Sequence, residues 1–134
     1  MRTHLIILLT GLGLVFAAAP VSAHHAFAAE FDATNPIELR GTIAKVELIN
    51  PHSWIHLDVE TSDGTVERWM IEGGPPNALF RRGFTQASLP VGAEIVVEGF
   101  RARDLSSLKA NGRDITMADG SRPFVGSFGT VSPR

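Results

Sequence analysis

Two alternating segments joined by a turn place the strongest constraint on the fold. Between Ser53 and Val59 apolar and polar residues alternate, which is typical of a strand with one buried face. The run Ser62-Asp63-Gly64 predicts a hairpin turn, so Val66–Glu72 is the returning strand. The centre of the chain therefore predicts antiparallel β structure. In the first of these strands the apolar face is Ile55, Leu57 and Val59, and the other face is Trp54, His56 and Asp58.

Three further strands are predicted around this hairpin. Ile37–Ile49 is rich in β-branched residues, but its apolar residues change parity along the segment, and Gly41 is a plausible bend or bulge. After the turn Leu89-Pro90-Val91-Gly92, Glu94–Arg101 reads as a fourth strand, and after a polar loop Asp114–Met117 reads as a fifth. We expect a long, bent first strand followed by shorter ones.

One short helix is predicted between the third and fourth strands, over Asn77–Phe84. In this interpretation Asn77 is the cap, Leu79 and Phe80 face inward, and Gly83 ends the helix. Arg81 and Arg82 face outward.

The order of three strands, a helix and two strands predicts an all-β fold with one short helix, either an OB-like five-stranded barrel or an open sandwich. The predicted divisions of the chain are a signal peptide over residues 1–23, an N-terminal arm over 24–36, the OB-like domain over 37–125, and a flexible tail over 126–134.

The N-terminus reads as a secretory signal peptide. Arg2 supplies the positive charge, Leu5–Ala19 is apolar, and Val21-Ser22-Ala23 offers small residues for cleavage. The alternative is a transmembrane anchor, but the apolar run has 15 residues, whereas a span needs about 20. We therefore expect a mature chain that begins at His24, lies in the periplasm or outside the cell, and keeps no transmembrane segment.

Composition excludes several classes of function. The 134 residues suit one domain, and the balance of 12 basic against 14 acidic residues argues against a nucleic-acid partner. The absence of cysteine excludes disulfides, thiolate metal sites and cysteine nucleophiles. No catalytic signature is recognisable, so the sequence does not indicate an enzyme.

Four phrases of the mature chain carry a resemblance to a known family: HHAFAAEFD, LRGTIAKVELINPHSWIHL, EGGPPNALFRRGF and LPVGAEIVVEGFRARD. Together they resemble a family of small exported bacterial proteins classed as domain of unknown function 6152. A His-His start of the mature chain and an Asn-Pro-His tripeptide before a strand recur in it. The resemblance implies export and an OB-like barrel, and it brings no established activity, substrate or catalytic residue.

Three histidines are candidate ligands of Cu(II). Cleavage before His24 creates a free amine beside its imidazole, and such nitrogen pairs suit copper. His25 follows directly, and His52 at the mouth of the second strand is the better partner from the fold. His56 lies about 13 Å from His52 along the same strand, so the two cannot readily share a metal unless the chain bends at Pro51. The alternative for His52 is a hydrogen bond that holds the Asn50-Pro51 turn.

The other candidate ligand-binding residues are Asn50, Trp54, His56, Glu72, Arg81 and Arg82. Trp54 could join Trp69 and Phe100 in a stacking surface, or all three aromatic residues could fill the core. The arginines could bind an anion or remain a solvated face, and Glu72 could pair with one of them. The loop Gly73-Gly74-Pro75-Pro76 reads as a rigid corner, because it lacks the features of a phosphate loop.

These patterns together indicate an exported, non-catalytic binding or accessory module for an unknown small ligand or partner protein. A copper-binding protein is the first alternative, and the second is a protein-assembly module that uses a barrel edge or the basic face of the later part of the chain.

The first prediction concerns export. The mature protein should begin at His24, because the apolar run and the small residues before that position form a cleavage signal. N-terminal sequencing of the exported protein checks this prediction. A chain that still begins at Met1, or one that requires detergent for extraction, would contradict it.

Overall fold

The structure is a computed structural model that describes residues 26–122. The predicted signal peptide, His24, His25 and the tail 126–134 lie outside the described residues. A short helical segment over 26–30 precedes the barrel. The strands are β1 (Phe31–Glu47), β2 (Trp54–Glu60), β3 (Val66–Glu72), β4 (Glu94–Ala102) and β5 (Lys109–Met117), and the helices are α1 (Pro76–Arg81) and a 3-10 turn (Gln86–Ser88).

The strands close into a barrel in the order β1-β2-β3-β5-β4. Closure is possible because β1 is long enough to pair with β4 along its first part and with β2 along its last part. All neighbouring pairs are antiparallel except β3 and β5, which are parallel. This arrangement confirms the predicted OB-like barrel, and the open sandwich is not formed.

The first strand begins at Phe31, six residues before the predicted start at Ile37. The expected arm over 24–36 therefore overlaps the sheet. The strand continues through Asn35-Pro36, and its register against β4 shifts between Phe31 and Pro36. Phe31 is buried opposite Ala102, and the ring centroid of Phe27 lies 5.9 Å from that of Phe100. Aromatic packing thus holds the beginning of the chain on the barrel.

The change of parity in β1 has its cause at Ala44 rather than at Gly41. The register against β2 shifts between Ile43 and Lys45, so Ala44 is the extra residue of a bulge. Ile43 and Val46 are consequently both buried although their parity differs. Gly41 has another role, since a Cβ atom there would lie 2.3 Å from the carbonyl oxygen of Asp58.

The core confirms the alternation predicted for the hairpin. Ile55 and Leu57 of β2 are 1% and 0% exposed. Around them pack apolar side chains from the other strands and from the segment between β3 and β4, including Leu39, Ile43, Val46, Trp69, Ile71, Leu79, Phe84, Leu89, Ile95, Val97 and Ile115.

The helix is shorter than predicted and presents a different face. It begins at Pro76, whose fixed φ suits the first helical turn, so Pro75 rather than Asn77 is the cap. Leu79 enters the core as expected, but Phe80 is 52% exposed, so its predicted inward position is wrong. Six residues form less than two turns, and a helix of this length has room for few inward positions. Gly83, at φ +79°, ends the segment as predicted.

The fifth strand begins at Lys109, five residues before the predicted start at Asp114. The sequence predicts a loop for the polar residues before Asp114, whereas in the structure Asn111 pairs with both β3 and β4. Gly112 follows inside the barrel, where an added Cβ atom would lie 2.8 Å from the Cγ2 atom of Ile71. Between residues 26 and 122 no helix is long and apolar enough to cross a membrane.

The second prediction tests the core. Leu57→Ala should lower the free energy of unfolding by about 2 to 5 kcal/mol, since it opens a cavity at a fully buried position. Asp58→Ala, one position away, is the control; it removes an outward ion pair with Arg68 and should cost less than about 1 kcal/mol. Urea denaturation of both variants measures the difference. Equal losses would show that the two faces of β2 are misassigned.

Candidate functional site

A row of side chains crosses four strands on the outside of the barrel. Trp54 of β2 is paired with Glu72 of β3, Glu72 with Asn111 of β5, and Asn111 with Phe100 of β4. Paired residues share a face of a sheet, and the chain neighbours Ile55, Ile71 and Ala110 belong to the core. The four side chains therefore face outward, and we call them the outer row.

The carboxylate in the outer row is buried and paired with a histidine. Glu72 is 5% exposed, and its Oε1 atom lies 2.7 Å from Nδ1 of His52. Two backbone hydrogen bonds fix this geometry: the N–H of Ser53 donates to the carbonyl of Gly74 at 3.1 Å, and the N–H of Gly73 donates to the carbonyl of Ser53 at 2.8 Å. These bonds tie the loop before β2 to the loop after β3 and thereby place His52 beside Glu72.

The sequence suggested an arginine of α1 as the partner of Glu72, and the structure corrects this, because the ion-pair partner is His52. Arg81 and Arg82 lie at the exposed end of α1. The His52 side chain is therefore held by a carboxylate. The Gly73-Gly74 loop and the prolines that follow form the corner between β3 and α1, as predicted.

A cation and a second carboxylate lie next to the outer row. Nζ of Lys109 is 3.0 Å from Oε1 of Glu30 and 5.2 Å from the ring centroid of Trp54. Lys109 thus combines an ion pair with a cation–π contact. The charges of Glu30 and Lys109 also act on Glu72. Histidine, lysine and two carboxylates consequently form one electrostatic group.

Burial raises the pKa of Glu72 above its ordinary value of 4.5, because the ionised carboxylate loses hydration at this position. The attraction of His52 opposes the rise, Glu30 adds to it by repulsion, and Lys109 opposes it. Desolvation is the largest of these effects, so the pKa of Glu72 is raised despite its cationic neighbours.

A cleft of about 400 Å³ opens between the 26–30 segment and the loop that joins β4 to β5. Ala26 and Glu30 line one side, and Arg103 and Lys109 line the other. Arg103 holds the two sides together: its N–H donates to the carbonyl of Glu30 at 2.9 Å, and its Nε donates to the carbonyl of Ala28 at 2.7 Å. The cleft therefore adjoins the charged group around Glu72.

The buried polar side-chain atoms that lack a hydrogen-bond partner within residues 26–122 belong to Ser53, Arg101 and Asn111. Ser53 precedes β2 beside His52, Asn111 is paired with Glu72, and Arg101 is paired with Ala110 next to it. Both amide atoms of Asn111 are unpartnered, and the residue is 0% exposed. An unpaired buried polar group costs about 1–3 kcal/mol. Such groups in a native structure call for an explanation, and here they gather at one end of the barrel.

Of the two possibilities for Trp54, Trp69 and Phe100, the shared stacking surface is not formed. Trp69 is 4% exposed and belongs to the core, where its ring lies 5.2 Å from the guanidinium carbon of Arg101. Trp54 and Phe100 both face outward, but Glu72 and Asn111 separate them in the outer row. Trp54 is thus the aromatic residue that adjoins the charged group.

The remaining predicted residues lie apart from the outer row. Nε2 of His56 is 2.6 Å from Oε2 of Glu47, and the same carboxylate binds Lys45 at 2.6 Å. Asn50 is exposed in the loop before β2 and is joined to Pro51 by a cis peptide bond. These positions do not converge with Glu72 on a single site.

Three residues of the site were not singled out in the sequence: Glu30, Lys109 and Asn111. Asn111 precedes a glycine, and this pair was assigned to a loop. The parallel pairing with β3 that brings Lys109 and Asn111 to Glu72 leaves no local signal in the sequence. Within residues 26–122, no group of three or more histidine, cysteine, aspartate or glutamate side chains is placed to hold a metal.

The chain belongs to a family of unknown function, DUF6152, whose model matches residues 12–111. No curated protein and no solved structure matches the chain.

The third prediction follows from the raised pKa of Glu72. Folding favours its protonated form, so its contribution to stability is complete below pH 4.5 and is lost as the pH rises through the raised pKa. Glu72→Gln cannot ionise and should not lose this stability. The free energy of unfolding of the variant relative to the natural protein should therefore increase as the pH rises from 4.5 through the raised pKa of Glu72. Denaturation at a series of pH values measures this difference.

Glu47→Gln is the matched control, because hydrogen bonds from Lys45 and His56 lower the pKa of Glu47. The contribution of Glu47 is present above pH 4.5 and is lost as the pH falls through the lowered pKa, so its pH dependence has the opposite sign. The same pH dependence in Glu72→Gln and the natural protein would contradict the burial effect.

Proposed function

We propose that this member of DUF6152 is an exported, non-catalytic binding or accessory module, and that its ligand binds at the outer row beside the cleft. One observation carries the proposal: buried side-chain atoms without a hydrogen-bond partner, above all the amide of Asn111, gather where the buried Glu72–His52 pair lies. A fold that retains these unfavourable groups at one end supports a binding role for that end.

The position agrees with the way OB-type barrels bind ligands. Such barrels use the face of strands 2 and 3 together with the loops between strands 1 and 2 and strands 4 and 5. Here the corresponding elements carry Trp54 and Glu72, His52, and the cleft-lining residue Arg103. This is a likeness of folds, so the argument for function rests on the side chains themselves.

The side chains suit a polar ligand of mixed charge. The amide of Asn111 offers both a donor and an acceptor, the ring of Trp54 offers an aromatic face, and Glu30 and Lys109 offer opposite charges. A ligand that pairs with the Asn111 amide would remove the cost of leaving it unsatisfied. Since Asn111 is fully buried, we expect the ligand to displace part of the surface that covers it.

The geometry favours binding over catalysis. A carboxylate that orients a histidine is also part of hydrolytic triads, in which the histidine activates a hydroxyl group. Ser53 is the hydroxyl next to His52 in the chain, yet it is 1% exposed and its Oγ atom makes no hydrogen bond to the imidazole. The pair therefore lacks an activated nucleophile at Ser53.

The fourth prediction tests this function by native mass spectrometry of the protein recovered after export. The natural protein should carry an additional mass, and Trp54→Ala should lose it because the aromatic face of the site is removed. Val66→Thr is the control, since Val66 lies at the opposite end of β3, is 65% exposed, and should leave the mass unchanged.

Two outcomes would contradict the prediction: a protein that carries no additional mass, or a mass retained equally by Trp54→Ala. An additional mass equal to that of a second chain would instead favour the protein-assembly module.

A further inference from the structure

We propose that residues 26–30 are a displaceable cover of the binding site, and that the ligand which replaces them is a short acidic peptide with an apolar side chain. In the closed structure Phe27 and Glu30 occupy the positions of the apolar and acidic groups of this ligand. The inference rests on the proposed function, because it assigns a ligand class and a means of access to the same face of the barrel.

The cover lies over the part of the outer row that holds Asn111. Phe100 of β4 is paired with Asn111, and Phe27 packs edge-on against it, with ring centroids 5.9 Å apart and planes at 84°. Lys109 precedes Asn111 by two positions on β5, and Glu30 pairs with its Nζ atom at 3.0 Å. The cover therefore contacts two neighbours of Asn111 on the outer face. This accounts for a side chain that faces outward and is nevertheless 0% exposed.

The cover is held at the surface, whereas the chain directly after it is anchored in the barrel. Among residues 26–30 Phe27 is half-buried and the other four are exposed. Five helical residues do not form a stable helix by themselves. The next residue, Phe31, is 1% exposed and begins β1. The cover can therefore separate from the barrel while the barrel stays folded.

Two cations of the cleft are occupied by the cover. Nζ of Lys109 pairs with the carboxylate of Glu30, and Nε of Arg103 donates to a backbone carbonyl of the cover at 2.7 Å. Both cations line the cleft of about 400 Å³. When the cover leaves, these donors become available together with the ring of Phe100 and the amide of Asn111.

The groups that the cover releases select the ligand. Lys109 and Arg103 bind a carboxylate, and the ring of Phe100 packs against an apolar group. The Asn111 amide both donates and accepts, so it suits a backbone amide, which does the same. An acidic peptide with an apolar side chain carries all three groups. Its amino group and its acid together give the mixed charge that suits the site.

The cover should weaken binding in the natural protein. A ligand that binds the open form alone has an apparent affinity reduced by the fraction of open molecules. A tethered segment also competes at a high effective concentration. A variant with a loosened cover should therefore bind the ligand more tightly although it gains no contact.

The first measurement compares the natural protein with the double variant Phe27→Ala, Glu30→Gln by heteronuclear NMR. The amide of Arg103 reports opening, because it donates to the carbonyl of Glu30 at 2.9 Å. Its hydrogen exchange should be about 10-fold faster in the variant, which lacks a ring contact and an ion pair. The amides of β2 should exchange at unchanged rates, since both substitutions lie outside the barrel. Equal exchange of Arg103 in the two proteins would contradict the cover.

The second measurement titrates both proteins with the pentapeptide AFAAE, the sequence of residues 26–30, carrying a C-terminal amide. Chemical shifts should change at Phe100, Lys109 and Asn111. The dissociation constant should be about 10-fold lower for the double variant, because its open form is more populated. The peptide AFAAQ should bind more weakly, since it lacks the acid that pairs with Lys109.

A pair of lysine variants in the double-variant background assigns the acid to its partner. Lys109→Gln should remove the preference for AFAAE over AFAAQ. Lys45→Gln is the matched control, because Lys45 is also paired with a carboxylate, Glu47 at 2.6 Å, and it should keep the preference.

A peptide that binds the natural protein and the double variant equally, or AFAAE and AFAAQ equally, would overturn the inference. Native mass spectrometry separates the two levels of the argument. If the peptide does not bind while Trp54→Ala still loses a bound mass, the cover and the ligand class are wrong and the binding function stands. If both fail, the face is not a binding site.

Discussion

The short parallel contact between β3 and β5 is the constraint on which the site depends. Only three residue pairs form it, Met70 with Lys109, Ile71 with Ala110, and Glu72 with Asn111. The middle pair faces the core and closes the barrel, while the outer pairs bring a cation and an amide to the carboxylate of β3. The contact that closes the barrel therefore also brings the residues of the site together.

The site is built at a cost in stability that the core must offset. Glu72 loses hydration, and Asn111 is buried without a partner for either amide atom. Each such group opposes folding by about 1–3 kcal/mol, a substantial fraction of the net stability of a small domain. With no cysteine available for cross-links, the compensation comes from apolar burial around residues such as Ile55 and Leu57.

Prediction from the sequence succeeds where the information is local. The alternation of β2 and the turn before β3 define a hairpin, and β3 has the predicted bounds, Val66–Glu72. The fold class follows from the order of such elements. The start of β5 was missed because Asn111 and Gly112 have the composition of a loop, and only pairing with two distant strands makes them part of a strand.

The candidate site was predictable only in part, for the same reason. Glu72 and Trp54 were identified as polar or aromatic residues on strands, and His52 by its position before a strand. Their convergence depends on register, which is set by the whole barrel. Glu30 was placed in an arm with no expected contact, whereas Lys109 and Arg103 fasten that segment beside the outer row.

Burial distinguishes two pairs that have the same chemistry. His52 with Glu72 and His56 with Glu47 are both imidazole–carboxylate contacts, at 2.7 and 2.6 Å, and both histidines are near the start of β2. The carboxylate of Glu47 is more exposed and also pairs with Lys45, so solvent and a second cation share in stabilising its charge. The carboxylate of Glu72 is buried and has lost most of its hydration, so its ionised form depends on the neighbouring cationic groups for stabilisation.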